Sequence, residues 1–153
     1  MKPLLEIIKQ QFALDWHGIH GVSHWARVRA NGLRLAEMTG ANVHVVELFS
    51  FLHDSRRLND DYDPLHGSRA AAFAKQLAES SIINVTDNEL ELLMTACEGH
   101  SHGLTTGDIT VLTCWDADRL DLGRVYIKPD LKFLCTDAAS TLVEWAYQRS
   151  RES

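Results

Sequence analysis

The sequence predicts an all-α fold. Apolar residues recur at three- and four-residue spacing along most of the chain, alternating runs of Val, Ile and Thr are almost absent, and Gly or short polar residues punctuate the periodic stretches. Leu4, Leu5, Ile7, Ile8 and Phe12 make a first amphipathic helix, which ends in the Gly-bearing loop Asp15-Trp16-His17-Gly18-Ile19-His20-Gly21. Ser23 is expected to cap a second helix running to about Thr39, with Gly40 as its stop. Asn42 caps a third, apolar on more than one face at Val43, Val45, Val46, Leu48, Phe49, Phe51 and Leu52, and therefore central.

Ser55 to Pro64 is polar, reads as a surface loop and is a candidate lid. Ser68 to Ala78 is Ala-rich and helical, and Thr86-Asp87-Asn88-Glu89 has the capping-box spacing that opens a helix through Glu98. Gly99 and Gly103 bracket His100-Ser101-His102. Asp108 is expected to cap a helix carrying Ile109, Val111, Leu112 and Trp115 and continuing to Leu122 before Gly123. Thr136 starts the last helix, with Leu142, Val143 and Trp145 inward. With no internal repeat, low-complexity tract or linker, residues 1–153 are expected to form a single domain.

The 153 residues are 45% apolar and 24% charged, enough to bury a core without disulfides or a structural metal, so any metal here is expected to be functional. A net charge of −6 with no basic run argues against binding duplex nucleic acid, whose affinity comes from Lys and Arg neutralising phosphates. Cys97, Cys114 and Cys135 lie far apart among apolar neighbours and read as buried, reduced thiols. Glu6 falls where a signal peptide needs its apolar core, and no stretch approaches the roughly 20 apolar residues of a membrane span. A cytoplasmic protein with no membrane partner is expected; its oligomeric state, homo-oligomer or monomer, is left open.

Eight histidines are the unusual feature, and all but His44 sit at a helix end, beside a Gly-bearing break or next to an acidic residue. His53-Asp54 closes the most apolar helix, although such a dipeptide alone carries little weight. The ordered set is more telling: His24-Trp25-Ala26-Arg27-Val28, then Phe51-Leu52-His53-Asp54-Ser55-Arg56-Arg57, then Cys114-Trp115-Asp116-Ala117-Asp118-Arg119-Leu120-Asp121. Together these resemble the His…His-Asp…Asp signature of the HD-domain superfamily of metal-dependent phosphohydrolases, from about His24 to about Gly123. The resemblance implies a bundle of about six to eight helices converging on a divalent metal, with His24, His53, Asp54 and Asp118 as ligands. Asp116 is the alternative fourth ligand.

The residue types suit that chemistry. Two neutral imidazoles and two carboxylates make a mixed N/O site fit for Mn²⁺, Fe²⁺, Co²⁺, Ni²⁺ or Zn²⁺, whereas Mg²⁺ favours oxygen alone. Such a site acidifies a water and polarises a phosphoryl oxygen, so no covalent nucleophile is needed. Arg56, Arg57 and Lys128 supply positive charge for phosphate, with Arg119 beside the last ligand and the segment Tyr126 to Asp130 as one wall of the pocket. Arg27, one turn from His24, is expected to hold a supporting carboxylate.

His66 and His100 fall where some family members carry histidines for a second metal bridged by Asp54. With one ion they would instead contact phosphate or donate a proton. One ion is the favoured reading, because the paired-histidine and Gly-Tyr-Pro motifs of the superfamily's cyclic-dinucleotide phosphodiesterases are missing; His102 is a weaker candidate than His100. The plainer readings are a solvated acidic face for Asp116 and Asp121, core positions for Trp25, Trp115 and Trp145, and places outside the pocket for His17, His20 and His44. Trp16 either stacks a nucleobase or staples its loop.

The expected activity is hydrolysis of a phosphoester or phosphoanhydride of a small anionic substrate, a nucleotide first. His53, Asp54, Arg57, His66 and His100 are the catalytic set. Two alternatives are hydrolysis of a guanosine polyphosphate alarmone and a non-catalytic module that binds metal or nucleotide as a signal.

Overall fold

The computed structural model describes residues 2–152, which form seven α-helices, two 3₁₀ turns and no strand. The helices are α1 (Lys2–Gln11), α2 (Val22–Thr39), α3 (Val43–Leu52), α4 (His66–Glu79), α5 (Asp87–Gly99), α6 (Ile109–Arg119) and α7 (Asp137–Arg151), with 3₁₀ turns at Leu122–Val125 and Leu131–Phe133. None of the described helices is long and apolar enough to cross a membrane.

The polar punctuation sets most boundaries. The Asn42 side chain accepts from Val45 N at the start of α3, Asp108 accepts from Thr110 N at α6, and Thr136 accepts from Ala139 N at α7. Thr86 and Glu89 form both halves of a capping box on α5, and Gly40 closes α2 in the left-handed region at φ 76°. Three boundaries differ from expectation. Ser23 lies inside α2, whose N-cap is Gly21 with no side-chain bond. The fourth helix begins at His66, so that imidazole sits in its first turn. The sixth stops at Arg119, and the chain tightens into 3₁₀ geometry at Leu122.

α2, α3, α5 and α6 enclose the core, with α4 packed along α5; Trp25, Phe49, Leu52, Leu93 and Leu120 are fully buried. Glycines allow the closest approaches. A Cβ on Gly32 would lie 2.4 Å from Val46 Cγ1, so α2 and α3 meet there nearly backbone to side chain. Gly67 faces the Cys97 carbonyl of α5, where a Cβ would come within 2.4 Å, and Gly99 faces the ring of Trp115 at 2.7 Å. The Gly67 contact draws the start of α4 onto the end of α5, and the Gly99 contact seats α5 on α6.

Trp25 and Trp115 are core residues, and the Trp115 Nε1–H donates to Ala96 O. Trp145 is only half-buried, flanked by the guanidiniums of Arg34 and Arg149 at 4.3 and 4.9 Å from its ring. Trp16 packs edge-on against Phe12 and Trp25, which staples its loop. The thiols are free; Cys97 and Cys114 are buried, Cys135 only half-buried.

Candidate metal centre

Four histidines meet at the converging helix ends. His24 lies in the first turn of α2, His53 caps the C-terminus of α3, His66 opens α4 and His100 caps the C-terminus of α5. Each is nearly or fully buried. Carbonyls of the last helical turn fix two rings: His53 Nδ1 donates to Phe49 O at 3.0 Å, which also accepts the His53 backbone N–H, and His100 Nδ1 donates to Cys97 O at 2.7 Å. His66 Nδ1 donates to Asp63 O, and His24 Nδ1 to Asp121 Oδ2 at 2.6 Å. Carbonyls and carboxylates only accept, so every Nδ1 carries the hydrogen and every Nε2 presents a lone pair inward.

Those lone pairs face each other. The Nε2 atoms of His24 and His53 are 3.0 Å apart, and those of His66 and His100 are 2.8 Å apart. Two lone pairs at that distance repel unless a proton or a cation lies between them. Carboxylate oxygens complete each pair. Asp118 Oδ1 is 3.1 Å from His24 Nε2 and 3.3 Å from His53 Nε2. Asp54 turns Oδ2 toward the first pair, at 3.5 and 3.4 Å, and Oδ1 toward the second, at 3.4 Å from His66 and 3.5 Å from His100. Two donor groups result, His24–His53–Asp118 and Asp54–His66–His100, each with ligand atoms within 4.8 Å of one another.

The site calls for positive charge. Burial and Arg124 would lower the pKa of His24, yet the carboxylates of Asp118, Asp121 and Asp54 outweigh them and push it up to about 9. Burial would raise Asp54, but His53 and the hydrogen-bonding imidazoles of His100, His24 and His66 hold it well below the usual carboxylate range. Asp118 behaves alike: burial opposes ionisation, while His53 and His24 hold the carboxyl well below that range. A buried set of four imidazole lone pairs and ionised carboxylates fits a divalent cation.

Asp121 is part of the support, not a solvated face. It is 1% exposed, accepts from His24 Nδ1 and from Arg27 Nε at 2.7 Å, and lies 3.9 Å from Arg124 Nη1. Arg27 thus holds the carboxylate that lies behind His24, as its spacing from His24 suggests. Asp116, the alternative fourth ligand, is turned away: its oxygens accept from Cys135 N, Thr136 N and Thr136 Oγ1 at 2.7 to 2.9 Å and anchor the start of α7. At about 100° per residue, Asp118 lies about 200° around α6 from Asp116, while Asp121, whose N–H donates to Asp118 O in a 3₁₀ step, returns to the side of Asp118. Helical spacing therefore carries the signal that separates Asp116 from the other two.

The basic residues divide. Arg57 Nε donates to Asp54 Oδ1 at 3.3 Å and its Nη1 donates to the carbonyls of Asn59 and Asp61. It lines a cavity of about 450 Å³ with Asp61, Tyr62, Asp63, Pro64, His66, Ser101 and His102. Arg56, expected at the phosphate, points the other way and stacks over Phe73, with 4.1 Å from its guanidinium carbon to the ring centroid. Lys128, expected there too, pairs with Glu144 on α7; with Arg119, Tyr126's neighbour Ile127 and Asp130 it belongs to a separate cavity. Successive loop side chains have no fixed direction, so adjacency to Asp54 or Asp118 does not place them. His20 donates from Nδ1 to Asp60 at 2.8 Å, joining its loop to the 55–64 segment. His17 and His44 are exposed.

No family model and no curated protein matches the chain. Among solved structures, one described as a predicted HD superfamily hydrolase from an uncultured Thermotogales bacterium superposes with a TM-score of 0.74 at 23% identity, over 97% of this chain and 85% of that one. This chain has the HD-superfamily fold. Within that fold the His…His-Asp…Asp order of the sequence converges on one buried point, and His66 and His100 join it.

Proposed function

We propose that this HD-fold chain is a metal-dependent phosphohydrolase acting on a small phosphorylated substrate, a nucleotide first, with two divalent ions held on either side of Asp54. The observation that carries the reading is the Asp54 carboxylate, one oxygen toward His24 and His53 and the other toward His66 and His100. The equivalence of the two donor groups favours two ions over the single ion that the missing phosphodiesterase motifs suggest. In such a set a divalent ion supplies Lewis acidity toward a phosphoryl oxygen and acidifies a water.

The chain's own residues do the rest. His24, His53, Asp54 and Asp118 would hold one ion, and Asp54, His66 and His100 the other. Asp121 fixes the ring and tautomer of His24. Arg57 steadies Asp54 and presents its guanidinium to the cavity, where it binds a phosphoryl group. With the Nε2 lone pairs of His66 and His100 committed to the second ion, His102 is the imidazole on the cavity wall left to hand a proton to the leaving group.

The cavity lining carries Arg57 against Asp61 and Asp63, one cation against two carboxylates. Asp63 is paired with Arg69, so Arg57 is the single guanidinium on the lining free to meet a phosphoryl group, which favours a substrate with one phosphate over a guanosine polyphosphate. Free thiols accord with a cytoplasmic setting. Metal analysis of the purified protein, then turnover of nucleoside mono-, di- and triphosphates and a generic phosphoester with Mn²⁺, Co²⁺, Ni²⁺, Zn²⁺ or Mg²⁺, tests the proposal. Wild type is expected to release phosphate and Asp54→Ala to release none. Equal turnover by the two proteins rejects the site; tight metal-dependent nucleotide binding without turnover favours the signalling module.

A further inference from the structure

Arg56 points away from the metal centre, toward a second cavity. Its guanidinium makes no hydrogen bond or ion pair among the described residues; its interaction is the face-on contact with Phe73 at 4.1 Å. The cavity there has about 400 Å³ and is lined by Arg56, Arg69, Ala72, Phe73 and Gln76. Residues 69, 72, 73 and 76 recur at three and four along α4, so one outward face of that helix makes the floor, and Arg56, on the loop after α3, makes a wall.

The donors are in place before any ligand arrives. Arg69 is held by Nε donating to Arg56 O at 3.0 Å and by Nη2 donating to both oxygens of Asp63 at 2.6 and 2.7 Å, which leaves its Nη1 without a partner among the described residues. Arg56 is half-buried and charged at any physiological pH, with its fork of N–H groups uncommitted. The Gln76 amide adds a neutral donor at the rim. Phe73 and Ala72 give the floor its apolar character. Two guanidiniums and an amide over an apolar floor match an oxyanion carried on an apolar or aromatic body, since the fork takes the charge and the ring takes the body.

We propose that this cavity is a second ligand site, distinct from the metal centre, that takes a small organic oxyanion, phosphate or carboxylate, between Arg56 and Arg69. Its frame touches the metal centre at two points. Arg57, next in the chain to Arg56, donates to Asp54, and Asp63, the partner of Arg69, offers its carbonyl to His66 Nδ1. An anion that draws on Arg69 therefore loads the residue that orients a ligand histidine.

The full chain loaded with Zn²⁺ is titrated with phenylphosphonate, benzoate and inorganic phosphate, while ¹H–¹⁵N spectra follow the amides of Ala72, Phe73 and Gln76 and the Nε–H groups of Arg56 and Arg69. Saturable shifts at these groups are expected with phenylphosphonate or benzoate, the tighter of the two telling phosphate from carboxylate. Inorganic phosphate, lacking the body, should bind about tenfold more weakly. Arg56→Gln should weaken binding by about tenfold or more, whereas Lys75→Gln, an exposed cation on the same helix outside the cavity, should change it less than about twofold. Shifts confined to His66, Ser101 and His102 would place the anion at the metal centre alone and overturn the proposal. So would equal losses in the two variants. Equal affinity for inorganic phosphate and phenylphosphonate would remove the apolar body.

Discussion

Gly67→Ala tests how the second donor group is assembled. Gly67 follows His66 at the start of α4, and a Cβ there would lie 2.4 Å from Cys97 O and 3.1 Å from Glu98 O, where ordinary contact begins at 3.4 Å. Both neighbours are backbone, so neither rotates away, and α4 must retreat from α5 by about 1 Å. Overpacking of this kind costs about 1–3 kcal/mol. For a domain of this length each kcal/mol lowers Tm by about 2–4 °C, so a fall of about 2–12 °C is expected in the metal-free protein. The same retreat parts His66 from His100, now 2.8 Å apart at Nε2, whereas metal–ligand distances tolerate only about 0.2 Å. Calorimetric titration with Mn²⁺ should show two equivalents for wild type. In the variant, one equivalent, at His24, His53 and Asp118, should persist and the other weaken at least about tenfold. An unchanged Tm together with two unchanged equivalents would refute the argument that this glycine sets the approach of the two histidines.

Asp121→Asn removes the carboxylate behind His24 and should weaken metal binding by about 10–100-fold, measured by competition with a chelator dye; a change within about twofold would deny Asp121 its positioning role. Asp116→Ala leaves three donors at the start of α7 without their acceptor and should cost about 1–3 kcal/mol in urea unfolding with metal affinity unchanged. Arg57→Gln should raise KM for a phosphomonoester by about tenfold with metal stoichiometry preserved. Glu89 is held below its ordinary range by the Thr86 backbone N–H and then by Asn42. A carboxylate depressed in the folded state stabilises above its unfolded pKa and loses that contribution as pH falls through the folded value. Wild type should therefore exceed Glu89→Gln in stability at neutral pH, with the gap closing in acid.

Much of this was legible before folding. Helix identity follows from periodicity, and Asn42, Thr86, Asp108 and Thr136 mark starts because their side chains satisfy otherwise unpaired N–H groups. The order of His24, His53-Asp54 and Asp118 names one donor group. The facing of His66 and His100 was not legible in full, because it depends on the close approach of α4 to α5 at Gly67. Asp116 and Asp118 are alike in composition and separate only when placed around the helix. Arg56 lies two residues after Asp54 and Lys128 on the segment after Asp118, yet one stacks on Phe73 and the other pairs with Glu144. Loops fix their side chains through distant neighbours.

The shared carboxylate is tested most directly by anomalous diffraction from crystals equilibrated with Mn²⁺. Two peaks are predicted, one among His24, His53 and Asp118 and one between His66 and His100, each on its own oxygen of Asp54. Saturating Mn²⁺ that leaves both positions without a peak, or that binds only elsewhere on the surface, would contradict the account.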